Sequence, residues 1–269
     1  MLDVLKTIQI DIVGGDRSEL GTEWRGIQMP DPYTRLYWIE SGSGHIHYNN
    51  QDRPLRAKEL HLIPSNNSFE YSCEKQVVIH WVRFSATLLG GIDLFAYIDC
   101  ERKLIPDNQM ECKKMFLDLF SAQQSDRKGK AFYSNGTLMQ LLAFFMDTID
   151  SEAIQLKLKQ QQCFQPVLKA IEQTLADPLS VAELARLTSL EPSYFSRKFT
   201  RFFGESPQRY IMRRRINQAQ LLLWETNETI QQIADALGFY DAFHLSKAFK
   251  RMAGISPSSY RTQASRIGP

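Results

Sequence analysis

The chain has 269 residues, enough for two domains of ordinary size, and its 32 Lys and Arg residues nearly balance its 30 Asp and Glu residues. No stretch is apolar for long enough to cross a membrane, and residues 1–6 lack the pattern of a signal peptide, so no membrane partner is expected. The four cysteines are widely spaced without a Cys-x-x-Cys pair, which argues against a zinc site or a disulfide framework and favours a cytoplasmic protein.

The first half of the chain is predicted to form β-strands. Between residues 33 and 84, runs of aromatic and β-branched residues alternate with Ser-Gly, Asn-Asn and Pro-Ser-Asn-Asn breaks. The predicted strands are residues 36–39, 44–48, 59–63, 69–71 and 77–84. Many short strands at this spacing are typical of a small β-barrel or jelly roll.

Two helices are predicted next, at residues 109–122 and 132–149. The second carries apolar residues at core spacing: Leu138, Leu141, Leu142, Phe145 and Ile149. After part of this surface is buried within the chain, the helix pair remains a plausible contact for a homodimer. A polar connector follows at residues 151–162.

The last hundred residues contain one helical unit twice. Residues 196–210 and 246–260 match in their Ser, Phe, Arg, Gly, Ser-Pro and Tyr positions. Each copy begins with a capping box, Ser180-Val-Ala-Glu183 or Thr229-Ile-Gln-Gln232, which predicts a helix start. Two tandem helix-turn-helix units predict a protein that binds one face of duplex DNA at two places.

A turn separates the two helices of each copy. In the second copy Gly238 suits the left-handed conformation that ends a helix, whereas Ser189 in the first copy is expected to be a weaker stop. Asp241 is a good N-cap for the helix that follows. Glu191, at the matching place, is expected to be a poor cap.

The second helix of each copy has two faces. Phe195, Phe199 and Phe202 form one apolar stripe, and Leu245, Phe249 and Met252 form the other. The opposite faces are short, polar and cationic, which suits a helix in the major groove. Their residues are Ser193, Ser196, Arg197, Thr200 and Arg201 in the first copy, and Phe243, Ser246, Lys247, Lys250 and Arg251 in the second.

A long helix at residues 207–224 is predicted to join the two units. It would fix their separation near one DNA turn, about 34 Å, with its leucines inward and some arginines, Arg213 among them, towards phosphate. Residues 165–269 hold 14 Lys and Arg against 9 Asp and Glu, so basic charge gathers in this half. Taken alone, the basic run would favour a merely solvated helix face.

The pattern from Ile233 to Phe239, followed by Phe249 to Arg261, resembles the signature of AraC/XylS-type transcriptional regulators. The resemblance covers residues 165–262. It implies base contacts by Ser193, Ser196 and Arg197 in one half-site, and by Ala242, Phe243, Ser246 and Lys247 in the other. We expect Thr200, Arg201, Arg213, Lys250 and Arg251 to contact phosphate.

The second helix of the second copy departs from the family pattern at three positions, and at one of them Leu245 replaces a common phenylalanine. Lys247 replaces a common arginine and cannot form a bidentate guanine contact, so the second half-site should be read less sharply. Phe243 replaces a polar residue. It would either touch a thymine methyl group or pack within the protein, and the sequence leaves both open.

The N-terminal half resembles, more weakly, the cupin-type sensing domain of such regulators. The resemblance implies a ligand in the mouth of a small barrel. Trp81 offers a flat apolar face for a sugar, Tyr37 is a further candidate, and Arg25 would supply a charged donor. Aromatic core residues of a β-barrel are the alternative for each aromatic side chain taken singly.

Two enzyme alternatives remain. His45 and His47 would share one face of a strand and meet a metal, with Asp52 as the carboxylate, but Phe69 stands where a cupin oxygenase has its third histidine. An alkyl-transfer repair protein would need a cysteine activated by a lowered pKa, and no such cysteine is expected here. Surface histidines and unreactive thiols are favoured, with no catalytic residue, metal or cofactor.

The sequence therefore predicts an α+β protein. Residues 1–150 form a cupin-like sensing and dimerisation domain, residues 151–164 a linker, and residues 165–269 a double helix-turn-helix domain. The expected function is that of a ligand-responsive transcriptional regulator, by analogy an activator of a metabolic and possibly carbohydrate operon. Its expected partners are double-stranded DNA, a small-molecule effector, a second copy of the chain and RNA polymerase.

Overall fold

The computed structural model describes residues 8–88, 92–98, 100–149 and 162–264. The chain divides into two compact units. We call the described residues of 8–87 and 93–149 the sheet unit, and those of 162–264 the helical unit. The predicted linker lies outside the described residues, except for residues 162–164.

The sheet unit is built from antiparallel strands. The strands are β1 (Gln9–Leu20), β2 (Arg25–Gln28), β3 (Thr34–Tyr48), β4 (Gln51–Arg56), β5 (Leu60–Ile63), β6 (Phe69–Ser72), β7 (Val77–Leu88), β8 (Ile92–Asp93) and β9 (Lys103–Leu104). The sheet order is β1, β7, β3, β5 and β9, and β3 also pairs with β4 and β6 while β6 pairs with β2. The sequence did not predict β1, β2, β4, β8 or β9.

The long strand β3 replaces two strands that the sequence predicted as separate. Its pairing with β7 shifts register between Ile39 and Ser41, where a β-bulge bends the strand without ending it. Gly42 has a φ of +76°, and a Cβ there would lie 2.1 Å from the carbonyl oxygen of Gln76. The Ser-Gly pair therefore marks a bulge within one continuous strand. The first part of β3 pairs with β5 and β7, and its last part pairs with β4 and β6.

The two faces of β3 and β7 have different neighbours. Tyr37 pairs with Trp81, and Ile39 pairs with Ile79, within one buried apolar cluster. On the opposite face, Trp38 pairs with His80. This second face is covered by a helix, since Phe116 and Phe120 pack against the His80 ring.

The helices of the sheet unit are α1 (Leu94–Tyr97), α2 (Gln109–Gln124) and α3 (Lys130–Met146). The side chain of Asn108 caps α2 by accepting a hydrogen bond from the backbone N–H of Glu111. Helices α2 and α3 pack on each other. None of the helices in the described part of the chain combines the length and hydropathy needed to span a bilayer.

The helical unit contains seven α-helices among its described residues. They are α4 (Gln165–Gln173), α5 (Val181–Arg186), α6 (Pro192–Phe203), α7 (Pro207–Glu225), α8 (Ile230–Ala236), α9 (Ala242–Ala253) and α10 (Pro257–Ala264). A 3₁₀ turn, Gln162–Phe164, precedes α4. The long helix predicted at residues 207–224 is thus present as α7.

An aromatic cluster forms the core around α6. Phe164 is fully buried, and its ring contacts Phe195, Phe199, Phe202 and Phe203. Phe164 was predicted to be the last residue of the linker. In the structure it is a central core residue of the helical unit, so the folded part begins before residue 165.

Candidate nucleic-acid interface

Two helix-turn-helix units repeat the same local geometry. Helix α5 begins with a capping box between Ser180 and Glu183, and α8 begins with one between Thr229 and Gln232, as the sequence predicted. The second helices are α6 in the first unit and α9 in the second. We call these two the recognition helices.

The starts of the recognition helices are both capped by carboxylates. The Asp241 side chain accepts a hydrogen bond from the backbone N–H of His244, at 2.7 Å. Glu191 accepts from the backbone N–H groups of Ser193 and Tyr194, each at 3.0 Å. The expectation of a poor cap at Glu191 was wrong, because the longer side chain folds back onto the first turn.

Hydrogen bonds stabilise the charged form of the Glu191 carboxylate. The hydroxyl of Ser193 donates to the carboxylate, and this bond with the two backbone N–H donors lowers the pKa of Glu191. Ser193 is a predicted base contact. Its hydroxyl is occupied in the structure, so it would have to leave Glu191 to donate to a base.

The exposed and buried faces of the recognition helices follow the predicted periodicity. Phe195 and Phe199 are buried in α6, and Leu245 and Phe249 are buried in α9. The predicted DNA-facing residues lie opposite. Exposed are Ser193, Arg197, Thr200 and Arg201 in α6, and Phe243, Lys247, Lys250 and Arg251 in α9, whereas Ser196, Ala242 and Ser246 are partly buried.

Each turn before a recognition helix contains a residue with left-handed backbone conformation. Ser189 has a φ of +54° and Gly238 a φ of +68°. A Cβ on Gly238 would lie 1.8 Å from the carbonyl oxygen of Ala176. Only glycine therefore fits the second turn without a backbone shift, and this turn rests on the connection between α4 and α5.

The arginines of α7 hold the helical unit together. Arg214 forms a two-bond ion pair with Glu172, at 2.7 and 2.8 Å. Arg215 donates to the backbone carbonyls of Leu175, Asp177 and Gly238, at 2.7, 2.8 and 3.1 Å. The bonds of Arg215 join α7 to two other segments. One is the connection between α4 and α5, and the other is the second turn.

Arg213 also has a partner within the helical unit. Its Nε lies 2.7 Å from Glu205 Oε1, and its guanidinium lies over the ring of Tyr210. The sequence predicted that Arg213 contacts phosphate. The ion pair gives the side chain an internal role, and a phosphate would have to compete with Glu205 for it.

Two of the predicted ligand residues lie together in the sheet unit. Tyr37 and Trp81 are cross-strand partners in the buried cluster, and Trp81 Nε1 donates to Ser18 Oγ at 2.9 Å. The hydroxyl of Tyr37 is buried and has no hydrogen-bond partner among the described residues. Burial raises the pKa of Tyr37 to about 12, so the hydroxyl stays a donor.

A buried charge cluster lies beside this pair on the same sheet face. Arg35 pairs with Arg83 across β3 and β7, and both donate to Asp31, at 2.6 and 2.9 Å. Although burial raises the pKa of Asp31, the two guanidinium groups hold it below its usual value. Sequence reasoning missed this cluster, because the three residues share a face only after the strands pair.

Arg25 lies elsewhere. It lines an open polar groove of about 670 Å³ with His45, His47, Asp52 and Glu70, and neither Tyr37 nor Trp81 lines this groove. His45 Nδ1 lies 3.6 Å from Asp52 Oδ2. Within the described ranges, His, Cys, Asp and Glu side chains nowhere converge in a group of three suited to a metal ion.

The Cys112 thiol differs from the activated cysteine of an alkyl-transfer protein. Cys73, Cys100 and Cys112 are buried, and Cys163 is partly buried. Burial raises the pKa of the Cys112 thiol to about 12. A nucleophilic cysteine needs the opposite shift, because the thiolate is the reactive form.

Comparison with known proteins agrees with the repeated unit. Residues 184–263 match the model of the helix-turn-helix domain family. The raffinose operon transcriptional regulatory protein RafR of Pediococcus pentosaceus is 23% identical over 245 residues, covering 88% of this chain and 87% of RafR. The Msm operon regulatory protein of Streptococcus mutans is 24% identical over 267 residues, covering 95% of this chain and 93% of that protein.

The matched region and the repeated unit make this chain similar to AraC-type transcriptional regulators. A structure of ToxT from Vibrio cholerae with an unsaturated fatty acid bound shares the fold, with a TM-score of 0.58, 14% identity and 97% coverage of both chains. The chain is a DNA-binding regulator of transcription. The AraC-type region is the double helix-turn-helix, and the sheet unit completes a mixed α/β protein.

Proposed function

We propose that this chain is an effector-responsive homodimer that regulates a carbohydrate operon from the cytoplasm. The name of RafR, the regulator of a raffinose operon, supports a carbohydrate effector. By family analogy it acts as an activator that contacts RNA polymerase. The observation that carries the proposal is the pair of capped helices, each with a solvent-exposed cationic face.

The proposed reading of DNA is divided between the two recognition helices. Base edges are contacted by Ser193, Ser196 and Arg197 in one half-site, and by Ala242, Phe243, Ser246 and Lys247 in the other. Phosphates are contacted by Thr200, Arg201, Lys250 and Arg251. Arg213 joins them only if DNA displaces Glu205 from its guanidinium.

We place the effector at Tyr37 and Trp81 within a cupin-like sensing domain of residues 1–150. The buried Tyr37 hydroxyl supports this placement, because a buried donor without a partner is costly and a ligand oxygen would satisfy it. Arg25 lines the separate groove, so we propose no contact between Arg25 and an effector held by the other two.

The DNA-binding part is tested by selecting the preferred duplex from a random pool and measuring affinities. Arg197→Ala should cost about 1–3 kcal/mol on the selected site and relax base preference there. The matched control is Arg186→Ala, which removes an exposed cation from α5. If the purified chain, with or without sugars, prefers no duplex over random competitor, the proposed function is wrong.

The effector part is tested with Tyr37→Phe, which removes only the buried hydroxyl. Trp81→Ala is less informative, because emptying this core position would destabilise the fold by about 3–5 kcal/mol. A panel of mono- and oligosaccharides that includes raffinose is tested for binding, which is measured as a shift in the thermal unfolding temperature of the chain. Tyr37→Phe should weaken the responding sugar about tenfold, whereas Tyr48→Phe in the same cluster should not.

A further inference from the structure

Two aromatic side chains at the start of the second recognition helix are exposed and do not contribute to the core. Tyr240, in the turn, is 90% exposed, and Phe243, the second residue of α9, is 76% exposed. The neighbouring Phe239 is buried in the core of this unit. Exposure answers the question that the sequence left open, because Phe243 does not pack within the helical unit.

This surface is specific to the second unit. With the offset of 50 residues that holds after the turn, Phe243 aligns with Ser193, and Tyr240 lies in the turn of the second copy, which is one residue longer than the turn of the first. Ser193 can hydrogen-bond to a base edge, whereas a phenyl ring cannot. The two recognition helices therefore present different chemistry at equivalent positions.

Phe243 is continuous with the cationic face of α9. Ser246 and Lys247 lie three and four residues further along the helix, so all three side chains share one side. Lys247 and Lys250 are exposed on α9. An apolar ring at the start of a basic helix face is suited to the floor of the major groove rather than to an apolar protein surface.

We propose that Phe243 makes the second half-site specific for a thymine methyl group. Of the four bases, only thymine presents an apolar group in the major groove, and aromatic contact with that methyl is an established mode of base reading. The inference rests on the proposed function, because it requires α9 to enter the groove. Tyr240 extends the apolar surface towards the adjoining nucleotide.

The test replaces thymines of the second half-site one at a time with deoxyuridine, which removes the methyl group and keeps every hydrogen-bonding group. The duplex is the one selected by the full-length chain. At one position, deoxyuridine should weaken wild-type binding about threefold to tenfold. Phe243→Ala should bind the thymine site more weakly by a similar factor and show no further loss with deoxyuridine.

A second substitution separates the methyl group from the base pair. Replacing the same thymine with 5-methylcytosine, paired with guanine, keeps a methyl group at the same place but changes the hydrogen-bond pattern. Wild type should bind this site more tightly than the unmethylated cytosine site, and Phe243→Ala should not distinguish the two. Tyr194→Ala is the matched control, since it removes an exposed aromatic ring from α6.

The outcomes separate the inference from the proposed function. If a selected duplex is bound but deoxyuridine weakens wild type and Phe243→Ala equally, or weakens neither at any position, Phe243 does not read a methyl group. If no duplex is selected at all, the proposed function fails as well. Because Phe243 is exposed, its substitution should leave thermal unfolding unchanged, and circular dichroism checks this.

Discussion

Gly238 occupies a position where both backbone conformation and space exclude a side chain. Its φ is +68°, and an added Cβ would lie against the Ala176 carbonyl. We expect Gly238→Ala to destabilise the helical unit by about 1–3 kcal/mol, measured by urea unfolding. Gly136→Ala in α3 is the control, because nothing lies within 4 Å of its Cβ position and the change should stabilise by about 0.5–1 kcal/mol. Equal effects of the two substitutions would contradict this account.

His80 makes the stability of the sheet unit depend on pH. Burial lowers its pKa from the ordinary 6.5, against the opposing effect of Glu40 at 2.9 Å. The unfolded chain therefore takes up a proton that the folded chain resists, and stability is lost as pH falls below 6.5. In urea denaturation between about pH 7.5 and about pH 5, His80→Gln should reduce this slope by up to about 1.4 kcal/mol per pH unit.

His61 contributes a second part of the same slope. Burial lowers its pKa to about 4, even though Glu59 lies 2.9 Å away. The His80→Gln variant should therefore keep part of the dependence of unfolding free energy on pH, and adding His61→Gln should reduce it further. Glu40 affects stability at lower pH. Burial opposes its ionisation, but bonds from Lys113, His80 and Arg17 lower its pKa to about 2, so its contribution is lost only below 4.5. A single-histidine variant with the wild-type pH slope would refute the assignment.

At the scale of elements, α2 and α3 carry apolar side chains that nothing within the sheet unit covers. Met110 and Leu117 are seven residues apart on α2, as are Phe132 and Met139 on α3, so each pair shares a helix face. All four are exposed. If this surface is the proposed dimer contact, Phe132→Glu should convert the chain to monomer in light scattering. Gln51→Glu adds the same charge at the exposed start of β4, away from both helices, and should leave the dimer intact.

The elements differ in how far the sequence predicted them. Helix α7 was predicted within one residue of its end, because Ser206 caps its start and Pro207 fits the first turn. Strand β1 was missed. Its sequence contains two adjacent glycines and scattered polar residues, and it is extended because it pairs with β7 along Gln9–Leu20. Helix caps can be predicted from neighbouring residues, whereas this edge strand depends on a partner 57 to 78 residues away in the sequence.

At the scale of the whole molecule, the bonds around Arg215 and Gly238 suggest that the two helix-turn-helix units do not move independently. Helix α7 has 19 residues, a length of about 28 Å. We expect insertion of half a DNA turn (about 5 bp) between the half-sites to lower affinity at least about tenfold. A whole turn (about 10 bp) should not restore binding, because the units cannot spread apart. Restoration in a gel-shift or anisotropy assay would show independent units.

The sequence by itself determined the repeated unit, its two capping boxes, its cationic faces and hence the resemblance to AraC-type regulators, since each depends on residues within one or two helical turns. Only the tertiary structure decided what the charged and aromatic residues do. It paired Arg213, Arg214 and Arg215 internally, joined Asp31 to Arg35 and Arg83, and left Phe243 exposed. The physical reason is that burial and pairing depend on which distant segments meet, and a periodic pattern specifies a face without naming its neighbour.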